Sequence, residues 1–151
     1  MFTKKLILWM GLSMLLVGCS TGRSVDTAMP QNVSTSEMGM RYLLGRGVPQ
    51  DDVKAFSYFN QAAKEDDAFA QNELGYLYAA GKGTNQDYAK SFANYEKAAN
   101  QGLASAQYNL GLLYLNGLGT APNKALAMQW ISKAAAKGFE PAKQALIKYR
   151  E

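Results

Sequence analysis

Histidine is absent from the 151 residues, and cysteine occurs once, at Cys19. The first absence removes the commonest general base, the Ser–His and Cys–His nucleophile pairs and the commonest metal ligand. The second excludes a disulfide framework and a thiolate metal site. An excess of one charge is also lacking: the formal net charge is +4, and Lys4 and Lys5 account for half of it. The other basic residues read as scattered among acidic ones, as on a solvated helical surface. That balance is too weak to argue for nucleic acid or an anionic membrane surface as a partner. With 48% apolar residues the chain has material for one domain with a real core. No apolar run reaches the ~20 residues of a membrane-spanning helix.

The longest such run, Leu6 to Val17, follows the Lys4-Lys5 pair and has the 12-residue length of a secretory apolar region. It leads into Leu16-Val17-Gly18-Cys19, which resembles the bacterial lipobox. That resemblance implies a signal peptide over residues 1–18 and a mature N-terminus at Cys19, with lipid on its thiol and an acyl group on its amine. An uncleaved anchor, or a plain signal peptide with an incidental cysteine, are the alternatives. More than one acyl chain gives stable anchoring. Ser20 after the cysteine, rather than aspartate, implies the outer membrane, with the body in the periplasm. Residues 19–33 lack periodicity, are rich in small polar residues and include Pro30. They read as a flexible tether that spans some tens of ångströms at roughly 3.3–3.6 Å per residue.

From there the chain repeats itself with a period of 36 residues. Gly39, Gly75 and Gly111 share a column, as do Tyr42, Tyr78 and Tyr114. So do Gly45, Gly81 and Gly117; Gly47, Gly83 and Gly119; and the pairs Ala62-Ala63, Ala98-Ala99 and Ala134-Ala135. Each unit reads as two helices. Helix A of the second unit is predicted over Ala68 to Gly81, with Ala70, Leu74 and Tyr78 on one face. Gly75 sits mid-helix, where glycine costs about 1 kcal/mol against alanine, so a neighbouring helix must pack there closely. Gly81 suits a left-handed cap, and Gly83 keeps the loop tight. Helix B is expected from about Asp87 to Asn100, burying Phe92, Tyr95, Ala98 and Ala99. Asp51, Asp87 and Asn123 occupy its N-cap column. The first helix A starts late, near Thr35, because Ser34 and Glu37 have capping-box spacing. At the far end Phe139 to Glu151 matches only a helix A, with Pro141 in its first turn and a charged outer face suited to a cap.

The pattern Ala-x-x-x-Leu-Gly-x-x-Tyr-x-x-Gly-x-Gly, followed by an aromatic helix ending in Lys-Ala-Ala, is similar to the Sel-1-like repeat, a cousin of the tetratricopeptide repeat. Met38 in place of leucine, and Leu126 where Lys54 and Lys90 stand, depart from it. The resemblance implies an all-α fold, a short right-handed solenoid whose A helices line a concave surface. The domain would cover residues 34–151, with units at about 32–67, 68–103 and 104–139 and a capping helix at 140–151.

Helix geometry places a strip beside the core face of each helix A. It comprises Glu37 and Met40, with Ser36, in the first unit, and Phe69, Asn72, Glu73 and Tyr76 in the second. Tyr108, Asn109 and Leu112, with Ser105, follow in the third, and Gln144 and Lys148 in the cap. Aromatic and aliphatic residues with amide and carboxylate neighbours make a peptide- or protein-binding surface. The alternative is that Tyr76 and Leu112 pack between neighbouring units. The Gly-x-Gly loops lack the Lys-Ser or Lys-Thr pair of a phosphate loop, and Glu65-Asp66-Asp67 lacks a calcium loop and reads as a solvated turn. Neither metal nor cofactor is expected. The expectation is a non-catalytic, monomeric adaptor, held at the membrane by its lipid and binding an envelope protein. An immunity protein against a periplasm-acting toxin, such as a type VI secretion phospholipase, is the sharper alternative, and a hydrolase the least favoured.

Overall fold

The computed structural model describes residues 33–149, so Cys19, the lipobox and nearly all of the tether lie outside it. The described residues form seven helices and no strand. They are α1 (Thr35–Leu44), α2 (Asp52–Ala63), α3 (Ala68–Ala80), α4 (Tyr88–Asn100), α5 (Ala104–Asn116), α6 (Lys124–Ala136) and α7 (Glu140–Lys148). Odd-numbered helices are the A members of the repeat and even-numbered ones the B members. Each packs chiefly on the helix before it and the helix after it, so the architecture is an all-α solenoid.

The helix ends fall where side-chain chemistry sets them. Asp51, Asp87 and Asn123 each accept the backbone N–H three residues on, from Lys54, Lys90 and Leu126. Ser34 accepts from Glu37 N–H at 3.1 Å, so α1 begins late. The Glu37 carboxylate turns instead to Arg41 Nε, also at 3.1 Å. Gly45, Gly81 and Gly117 close the A helices in the left-handed region, at φ +66°, +65° and +63°. Asp67, in the acidic run that the sequence suggests is a solvated turn, is the N-cap of α3, accepting from Phe69 and Ala70 N–H, where a negative charge suits the helix dipole.

Two glycine columns are explained by their neighbours. A Cβ on Gly39, Gly75 or Gly111 would lie 2.9, 2.8 or 2.6 Å from Phe59, Tyr95 or Ile131 of the same unit's B helix. The mid-helix glycine is thus the socket for one large side chain. Gly83 does more than tighten its loop. A Cβ there would meet Asp52 O of the preceding unit at 2.1 Å, and one on Gly119 would meet Tyr88 O at the same distance. The second loop glycine is an inter-unit contact.

Three core clusters follow one another along the chain, around Phe59 and Leu77, then Tyr95 and Leu113, then Ile131 and Ala142. Aromatic pairs bridge units: Phe56 meets Tyr78 edge-on at 5.3 Å, and Phe92 meets Tyr114 at 5.2 Å. Tyr42 has no earlier B helix among the described residues and stacks on Tyr58 of its own unit at 5.5 Å. The helix A core face is wider than its sequence stripe suggests. In α3 eight of 13 residues are buried, including Leu77 and the polar Gln71, Asn72 and Glu73, whereas Tyr78 is only half-buried. On α4 the buried face takes in Ser91, and Phe92 remains half-buried.

Candidate protein-binding surface

The strip predicted along the A helices divides into a covered part and an open part. Asn72, Glu73 and Asn109 have 0% exposure and Leu112 has 8%, so the expectation that these side chains stand on an open strip is corrected. Ser36 and Ser105 are buried as well. The polar trio forms a hydrogen-bonded seam joining α3 to α5. Asn109 Nδ2 donates to Asn72 Oδ1 at 3.2 Å, and Asn72 Nδ2 donates to Glu73 Oε1 at 2.9 Å. These two hydrogen bonds offset part of the cost of burying the polar groups. A seam of this kind fixes the register of one unit on the next.

The open part is Glu37, Gln144 and Lys148, which are exposed, with Met40, Phe69, Tyr76 and Tyr108 half-buried. Tyr76 packs against both the first and second core clusters and carries Lys82 Nζ 5.5 Å from its ring centroid. Met40, one unit earlier in the same column, lies against the first cluster. Phe69 meets Phe59 edge-on at 6.2 Å. Tyr108 rests on Phe139 at 5.6 Å, and burial, with Tyr149 nearby, raises its phenol above the usual tyrosine range. Met40 and Tyr76 are therefore the adjacent apolar side chains that keep free surface, bordered by the Glu37–Arg41 pair and by Lys82.

Sequence reasoning missed Arg41 and Lys82 at this border. Lys82 sits inside a loop motif that the repeat fully accounts for, so nothing in the sequence marks its position over a ring. The glutamine column was missed too. Gln71 Nε2 donates to Ala63 O at 3.4 Å and Gln107 Nε2 to Ala99 O at 3.2 Å, each closing the end of the preceding B helix. Gln101 Nε2 in turn donates to Gln71 Oε1 at 2.8 Å.

Ionisable groups elsewhere serve structure. Backbone hydrogen bonds from Lys54 and Lys90 hold the Asp51 and Asp87 carboxyls below the usual range, as expected of N-caps. Burial pushes the Tyr95 phenol well up, with the Glu73 charge adding to the effect. Among the described residues no cluster of three or more acidic, histidine or cysteine side chains could hold a metal ion, and no helix is long and apolar enough to cross a membrane. The surface offers apolar and aromatic contact, one carboxylate and several cations, which is chemistry for recognition.

Comparison with known proteins agrees with this geometry. The Sel1 repeat matches three times, over residues 34–67, 68–103 and 104–139. No curated protein matches the chain. Among solved structures, a Sel1 repeat protein from Oxalobacter formigenes is 43% identical with a TM-score of 0.69, over 76% of this chain and 86% of that one. The protective antigen c5321 of uropathogenic Escherichia coli strains, which displays the same repeat fold, is 38% identical with a TM-score of 0.68. That match covers 69% of this chain but 22% of the antigen. Cysteine rich protein B of Helicobacter pylori shares the fold at 24% identity and a TM-score of 0.65, over 75% of this chain and 89% of that one. With three matched units and this packing, the chain belongs to the Sel1 repeat family, whose members are generally protein–protein interaction modules and typically non-catalytic scaffolds.

Proposed function

We propose that this protein is a lipid-anchored adaptor of the bacterial envelope, which holds a partner protein on the A-helix side of its repeat array. The observation that carries the reading is the pair Met40 and Tyr76, partly open side chains in one repeat column on adjacent units, with Glu37, Arg41 and Lys82 around them. An apolar centre rimmed by opposite charges is how recognition surfaces are built. The family's general role points the same way. The anchor rests on Leu16-Val17-Gly18-Cys19 after the apolar run, and Ser20 favours the outer membrane with the array in the periplasm.

Capture from detergent-solubilised envelope by the lipidated protein tests the binding side. A specific partner recovered with the wild type, and reduced at least tenfold with a Met40→Ala/Tyr76→Ala chain of unchanged helicity, supports the surface. Undiminished capture by that variant sinks it. Fractionation tests the anchor: Cys19→Ala should block processing or release the array, and a variant that is still processed and stays with the membrane contradicts lipidation.

A further inference from the structure

Charge that reads as scattered along the sequence is partitioned by element. Residues 33–103 carry seven basic and nine acidic side chains, whereas α6, α7 and their junction carry five lysines and one glutamate. The lysines are Lys124, Lys133, Lys137, Lys143 and Lys148, all exposed, and the glutamate is Glu140, 3.2 Å from Lys143 Nζ. Among them, on the outer side of α7, stands Ile147 at 74% exposure, with Lys143 and Gln144 one helical turn before it and Lys148 beside it.

The repeat register says what that face cannot hold. Position 147 continues the column of Gly39, Gly75 and Gly111, the sockets that let a B helix approach. A branched side chain fills the socket here, so a helix seated as α2, α4 or α6 are seated has no room. A broad, deformable surface has no such requirement.

We propose that the α6–α7 end of the array rests on an anionic lipid surface, with Lys143 and Lys148 as its electrostatic contacts and Ile147 as its apolar one. This rests on the lipid-anchor reading, which puts a bilayer within reach. The 14 residues from Ser20 to Val33 reach at most about 46–50 Å at 3.3–3.6 Å each. A tethered domain meets the surface at high effective concentration, so a weak attraction suffices. Lysines are drawn to anionic headgroups over about a Debye length, and their stems reach the surface while the charge stays wet.

The test uses the full lipidated chain bearing Gln144→Cys with an environment-sensitive dye, in vesicles of phosphatidylethanolamine alone or with about a third phosphatidylglycerol. On the anionic vesicles the dye emission should shift to the blue and its accessibility to an aqueous quencher should fall several-fold. High salt and the Lys143→Glu/Lys148→Glu pair should each abolish both changes. Equal behaviour on the two vesicle types, or a response unaltered by that pair, overturns the proposal and leaves an acidic protein as the partner of these lysines. Flotation separates the two readings. A chain that floats with both vesicle types but gives no dye response keeps its anchor and loses this surface. One that floats only with anionic vesicles loses the anchor and keeps the surface, and one that floats with neither loses both.

Discussion

Tyr95 and Phe59 occupy the same place in successive units, each seated on the mid-helix glycine of its partner helix, and they differ by one hydroxyl. That hydroxyl is fully buried and finds no hydrogen-bond partner. Tyr95→Phe should therefore raise stability at neutral pH by about 1 kcal/mol, since a desolvated, unbonded polar group is removed and the ring is kept. The same exchange should alter the alkaline limb. Because its folded pKa lies above its unfolded value, the phenol takes no stability through ionisation below the ordinary tyrosine range, and takes progressively more as pH rises beyond it. The wild type should lose thermal midpoint steeply there, and Tyr95→Phe less so; parallel curves would contradict this. Asp66 makes the complementary case. It holds φ +58° in the column where Gly102 and Gly138 hold +91° and +84°. Asp66→Gly should raise stability by about 0.5–1 kcal/mol, read from denaturant midpoints at constant slope.

Among the elements, the loops give the sharpest contrast. Gly47 and Gly83 share a repeat column and nearly the same left-handed backbone, φ +71° and +66°. A Cβ on Gly47 meets nothing within 4 Å, whereas one on Gly83 lands on the α2 backbone. Gly47→Ala should cost only the conformational penalty, about 1 kcal/mol. Gly83→Ala adds a clash that loop and helix cannot both relieve, and should cost at least twice as much. Equal losses in thermal melts would mean that backbone conformation alone sets this column. Such a pair also shows what the sequence could and could not tell. Helix ends, caps and the mid-helix sockets were legible because glycine, aspartate and serine at those spacings have few other uses. The buried fate of Asn72, Glu73 and Asn109 was not. A helix enclosed on most sides by neighbours shows no polar face, and a polar residue satisfied by another polar residue has the same letter as one in water. The sequence therefore suggests too wide an open strip, of which Met40, Phe69, Tyr76 and Tyr108 and the exposed Glu37, Gln144 and Lys148 keep surface.

For the molecule as a whole, packing between chain neighbours makes stability a sum over units and the interfaces that join them. The second unit is the best enclosed: Gly75 seats Tyr95, Gln71 and Gln107 close adjoining helix ends, and the asparagine seam ties α3 to α5. Amide hydrogen exchange should be slowest in α3 and α5, and fastest in α1 and α7, with a gradient between them. A single protection value across all seven helices would show the array opening as one block instead. Local contacts of this kind also favour quick folding without distant chain closure.

The Gly83 and Gly119 contacts have a mechanical consequence. Each loop is braced against the start of the B helix one unit earlier, at Asp52 and Tyr88. A load entering at α1 must first slide α2 out from under the loop that follows α3. Rupture then proceeds by whole units in chain order, and each event releases a similar length of chain. The array behaves as a stack of latches, able to yield at one end while the far units stay engaged.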